Sequence, residues 1–101
     1  MIIYNVTVKI IPQIQLDWVK WMKEVHIPDV MATGLFESSQ IAKLIDPVDE
    51  DGFTYAIQYT CKDLNTLRIY HQNHAAALQA EHTNRYKDKF VSFRTLLEVV
   101  D

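Results

Sequence analysis

Apolar and polar residues alternate from Ile2 to Ile10, with Tyr4, Val6, Val8 and Ile10 on one side and Asn5, Thr7 and Lys9 on the other. A period of two carried by β-branched side chains predicts a strand, stopped by Pro12. From Gln13 the period changes, since Ile14, Trp18, Trp21, Met22 and Val25 recur at helical spacing while Asp17, Lys20, Lys23 and Glu24 fall largely opposite. This helix is expected to end near His26 and Ile27, because proline disfavours helical backbone at the residue before it. Pro28 is expected to open a further turn running to Thr33, closed by Gly34.

Phe36 to Ile45 reads as a second strand and Phe53 to Cys61 as a third, joined into a hairpin by the acidic turn Asp46 to Gly52. In the third strand Phe53, Tyr55, Ile57, Tyr59 and Cys61 share the face expected to meet the helices. Asp63 is placed to cap a second helix from Leu64 to about Lys89, with a break near His74. A fourth strand follows from Phe90 to Val100. The order β, α, β, β, α, β is the split βαβ arrangement of an α+β, ferredoxin-like domain spanning residues 1–101, with both helices on one face of a four-stranded antiparallel sheet. Counting by parity leaves Asn5, Thr7, Ala56, Gln58, Ser92 and Arg94 on the bare face, which pairing with a second copy would bury.

The segment from Trp21 to Phe36, with His26, Pro28 and Gly34 at the junction of the first helix and second strand, resembles the same junction in dimeric α/β-barrel proteins. That superfamily includes cofactor-free monooxygenases, lactone isomerases and stress-responsive barrel proteins. With the segment His74 to Glu98, the chain more closely resembles a small uncharacterised bacterial domain-of-unknown-function family, over nearly its whole length. The resemblance implies a homodimeric barrel and a small apolar or aromatic ligand held between sheet and helices. It brings no established activity, because a fold does not determine a function.

Composition narrows the partners. Among 101 residues 49% are hydrophobic and the net charge is −3, which gives no bulk attraction to phosphate backbones or anionic lipid, so neither nucleic acid nor membrane is expected. RNA-binding modules of this order stack bases on aromatics of the bare face, whereas Tyr4, Tyr55 and Tyr59 fall on the helix side. The single Cys61 and the absence of a secretory pattern at the N-terminus point to a reducing cytoplasm. Cys61 ends a core-facing run and reads as a small buried hydrophobe rather than a nucleophile.

The residues with chemistry to offer lie mainly on the second helix. At about 100° per residue, Leu64, Leu67, His71, His74, Leu78, His82 and Arg85 fall within one stripe roughly 80° wide if the helix is continuous. Imidazoles on that stripe, with tyrosine hydroxyls from the third strand, could carry acid–base chemistry near neutral pH. The candidate ligand-binding set is therefore Trp21, His26, Tyr55, Tyr59, His74 and His82, around a pocket between the second helix and the sheet. Against this stands a structural role, since buried histidines and tyrosines also serve as hydrogen-bonded core residues. No metal is expected: His71 and His74 supply two ligands, and His82 lies about 12 Å from His74 along the helix. No cofactor is expected either, as neither Gly34 nor Gly52 belongs to a phosphate-cradling loop. Arg94, placed on the bare face, is expected to meet an acid of a second copy or an anionic ligand. Two functions remain open, a small-ligand domain with a cofactor-independent activity and a non-catalytic interaction or regulatory domain.

Overall fold

The computed structural model describes residues 1–101. Four strands, β1 (Ile2–Ile10), β2 (Ser38–Lys43), β3 (Phe53–Cys61) and β4 (Phe90–Glu98), form an antiparallel sheet in the order β2-β3-β1-β4. Between β1 and β2 runs a first long helix made of α1 (Gln15–Trp21), a π-helical turn (Met22–His26) and α2 (Ile27–Met31). The second long helix, between β3 and β4, repeats that plan with α3 (Leu64–Tyr70), a π-helical turn (His71–Ala75) and α4 (Ala76–Arg85). Both helices cover one face, and Trp18, Ile10, Ile57, Val30 and Cys61 are fully buried between them and the sheet. Tyr55, Ile57, Tyr59 and Cys61 all point into this core, as the alternation of β3 predicts. Asp63 caps α3, its Oδ1 accepting from the Thr66 N–H at 2.8 Å.

Four expectations need correction. The first long helix does not stop before Pro28, and Ile27 keeps helical dihedrals. Proline is tolerated because the backbone has already widened: the Ile27 N–H donates to the Met22 carbonyl five residues back, so the preceding turn is π-helical rather than α-helical. The second helix ends at Arg85 instead of Lys89, where Tyr86 leaves helical dihedrals and Asp88 adopts a positive φ of 64°. Strand β2 is shorter than Phe36 to Ile45 because Phe36 turns into the core, its ring 5.2 Å from Tyr59 and 4.9 Å from Tyr70.

The fourth correction concerns which way β4 faces. Val6 of β1 is paired with Ile57 on one side and Arg94 on the other, and Val8 with Tyr55 and Ser92. Residues directly opposite in a sheet point to the same side, so Arg94 and Ser92 face the helices and not the bare surface. The bare face instead carries Val91, Phe93, Thr95 and Leu97 of β4 beside Thr7, Asn5 and Ile3 of β1. Strand β4 is an edge strand with apolar residues on both faces, so its alternation alone carries no information about which side is covered.

The acidic turn is tied to β3, where the Thr54 hydroxyl donates to Asp49 Oδ2 at 2.7 Å, and to β1. Lys9 Nζ lies 3.0 Å from Asp49 Oδ1 and also pairs with Asp51. Gly52 packs so closely on β1 that a Cβ there would stand 2.6 Å from the Ile10 carbonyl oxygen.

Candidate functional site

A cavity of about 170 Å³ lies between the sheet and the two long helices. Its apolar walls come from Val6 and Val8 of β1, Ile57 of β3, Met22 and Val30 of the first long helix, and Leu78 and Phe90. Its polar lining comes from His26, Tyr59, Tyr70, Gln79, His82, Thr83, Ser92 and Arg94, with Tyr4 between. The π-helical turn of the first helix contributes both Met22 and His26, which ties the local widening before Pro28 to the wall of the cavity.

Two imidazoles face each other here, with ring centroids 5.9 Å apart. His82 is buried and its Nε2 accepts the indole Nε1–H of Trp18 at 2.9 Å. An indole nitrogen can only donate, so Nε2 of His82 carries no proton and the neutral ring holds its proton on Nδ1. Burial lowers the His82 pKa to about 4, with His26 and the Arg94 charge adding to the effect. Burial also lowers the pKa of His26, opposed by Asp29 and reinforced by Arg94. Both rings are therefore neutral near pH 7.

Buried polar atoms in folded proteins nearly always find a partner. Here His26 Nδ1 and the Tyr59 hydroxyl are buried with none. Burial raises the pKa of Tyr59 and of Tyr70, so both phenols keep their protons. Arg94 donates from Nε to the Tyr4 hydroxyl at 3.0 Å. No Asp or Glu lines the cavity, and Arg94 makes no ion pair with a carboxylate of the chain.

Of the candidates named from sequence, His26, Tyr59 and His82 come together on this cavity. The others stand at one remove. Trp21 stacks on His26 at 5.2 Å and lies behind it, and His74 stacks on Tyr70 at 6.3 Å. Tyr55 packs against Trp18 at 5.0 Å, its hydroxyl accepting from Gln15 Nε2 at 3.0 Å. The histidine stripe is dispersed because the π-helical turn His71–Ala75 changes the angular phase: His71 is exposed, His74 half-buried and His82 buried. Sequence reading left Tyr4, Tyr70 and Ser92 out of the site, and it named Arg94 for an anionic ligand or a partner's acid but on the opposite face of the sheet. For Arg94 and Ser92 the missing signal was the register of β4, and for Tyr70 its spacing of three from Leu67 on the covered face of α3 was available. No group of three or more His, Cys, Asp or Glu side chains converges on a point where a metal ion could sit.

The element order, the strand order and the helix-covered sheet define a ferredoxin-like α+β protein. The chain belongs to the family described as domain of unknown function DUF4286, which matches residues 1–100. Solved structures share its fold at low sequence identity. An ethd family protein from Bacillus halodurans superposes with a TM-score of 0.68 at 7% identity, covering 99% of this chain and 100% of that one. SnoaB, a cofactor-independent oxygenase from Streptomyces nogalater, gives 0.67 at 9% identity, covering 99% and 94%. A dimeric ferredoxin-like protein from an uncultured marine organism gives 0.66 at 12%, covering 100% and 96%. No curated protein matches the sequence.

Proposed function

We propose that this protein is a homodimeric small-ligand domain that takes a small aromatic or apolar molecule into the cavity between sheet and helices, and that His26 is the acid–base group of a cofactor-independent reaction there. The observation that carries the reading is the pair of buried, unpartnered polar atoms, His26 Nδ1 and the Tyr59 hydroxyl. Each costs about 1–3 kcal/mol while unsatisfied, a cost that a bound molecule with matching groups offsets. His26 has the right chemistry for a base, since burial keeps it neutral and its Nδ1 is not committed elsewhere. The shared fold with a cofactor-independent oxygenase supports the same reading. The free, buried Cys61 fits a reducing cytoplasm.

The homodimer is supported by the bare face of the sheet. Val91, Phe93 and Leu97 are 67%, 60% and 44% exposed on it, and a second copy laid sheet to sheet would cover them. Similar structures are described as dimeric. The same apolar strip favours a second reading, a non-catalytic interaction domain whose only business is assembly.

Screening small aromatic and aliphatic compounds by thermal shift, on the wild type and on His26→Gln, separates the two. Stabilisation by a subset of aromatic compounds, lost in His26→Gln at unchanged oligomeric mass, is the expected result. If no compound stabilises the wild type, the assembly reading stands and the ligand reading falls.

A further inference from the structure

We infer that the ligand of this cavity carries a delocalised oxyanion, a carboxylate or an enolate, on a flat apolar body, with Arg94 as the residue that selects the charge. This rests on the reading of the cavity as a binding site and deepens it to a ligand class.

Arg94 is the only side chain with a permanent charge on the cavity lining. The chain carries thirteen acidic residues, yet none lines the cavity and none pairs with this guanidinium. One of its N–H groups is used by Tyr4, which leaves the planar fork available for bidentate contact with a carboxylate. Among the neutral polar groups, His82 and two tyrosines offer donors. His82 has its acceptor nitrogen occupied by Trp18, so what remains is the Nδ1–H donor. The Tyr59 hydroxyl donates to nothing in the protein, and Tyr4, which accepts from Arg94, has its own proton to give. Gln79, Thr83 and Ser92 can donate or accept and His26 offers its Nδ1, but with Arg94 as the only fixed charge and no carboxylate on the lining, the site matches an anionic head group.

Size and shape fix the rest. An apolar cavity of about 150 Å³ is known to hold benzene, so about 170 Å³ holds a single six-membered ring with a compact head group. Val8, Met22, Val30 and Ile57 supply the apolar wall for the ring. Arg94 is exposed on the edge strand, so the head group sits toward the open side and the ring lies inward.

Isothermal titration of the full-length protein with benzoate and with its neutral isostere benzamide tests this. Benzoate is expected to bind about tenfold or more tightly than benzamide, the range of one charge-assisted contact. Arg94→Gln is expected to abolish that preference while leaving benzamide binding within about twofold, and Arg94→Lys to restore part of it, since lysine keeps the charge without the fork. Because Arg94 is exposed, an unchanged urea midpoint verifies that Arg94→Gln is folded. Equal binding of the two compounds, or benzoate affinity unaffected by Arg94→Gln, overturns the anion class while the cavity remains a binding site. Binding of neither compound by the wild type overturns the cavity reading as well.

Discussion

Trp18 and His82 are joined through the core by a 2.9 Å hydrogen bond from indole Nε1–H to imidazole Nε2, linking the two long helices. The bond does three things at once. It satisfies a buried indole donor, it fixes the tautomer of His82, and it leaves protonation of that ring only at the expense of the bond.

The burial of His82 makes stability depend on pH with a definite sign. His82 titrates near 4 in the folded protein against about 6.5 when unfolded, so between these values the unfolded chain binds the extra proton. Its contribution is complete above about pH 6.5, is lost as pH falls toward 4, and amounts to about 3 kcal/mol at most. His26, also lowered by burial, acts in the same direction. Urea unfolding at a series of pH values across this window is expected to show the midpoint falling as acid is added. His82→Gln is expected to flatten the slope, and an unchanged slope in that variant would mean that His82 is not held neutral.

Tyr59 offers a prediction of opposite sign to most core substitutions. Its hydroxyl is buried without a partner, so Tyr59→Phe removes an unsatisfied group and leaves the ring packing against Phe36 and Tyr4 in place. The variant is expected to be more stable than the wild type by about 1 kcal/mol in urea unfolding. It is also expected to bind cavity ligands more weakly. A loss of stability would show that the hydroxyl has a partner in the folded protein.

Truncating the indole itself should be costly. Trp18 is fully buried, and Trp18→Ala is expected to cost about 3–5 kcal/mol by cavity formation. Trp18→Phe keeps most of the volume but leaves His82 Nε2 without its donor, with an expected cost of about 1–3 kcal/mol. Comparing the two in chemical denaturation separates packing from the hydrogen bond.

The proposed assembly is tested on the bare sheet face. Phe93→Lys places a charge in the middle of the apolar strip of β4, away from the helix-covered core. Sedimentation velocity is expected to give a dimer for the wild type and a monomer for this variant, with little change in helical content. A wild type that sediments as a monomer at all concentrations would remove the sheet-to-sheet pairing.

How much of this could be read from the residues depended on how each strand is covered. In β3 the two faces differ sharply in burial, and in β1 the helix side carries the buried apolar residues Tyr4, Val8 and Ile10, so alternation gave both strands and their orientation, and Tyr59 followed. In β4 Phe90 and Leu96 are apolar on one face and Val91, Phe93 and Leu97 on the other, so parity had no anchor until its pairing with β1 supplied one. Arg94 was assigned to the bare face for that reason, and the charge of the cavity went with it. The histidine stripe of the second helix assumed an even turn of 3.6 residues, and a π-helical turn in its middle left only His82 on the cavity. His26 was placed near the site by its position at the junction, although the helix that carries it continues through Pro28.

The central claim, that a small molecule enters between sheet and helices, is tested most directly by methyl-resolved NMR during titration with benzoate. The account predicts shifts at the methyl groups of Val8, Met22, Val30 and Ile57, with those of Val91 and Leu97 on the opposite face unaffected. Shifts confined to Val91 and Leu97, or none anywhere up to the solubility limit of the ligand, would contradict it.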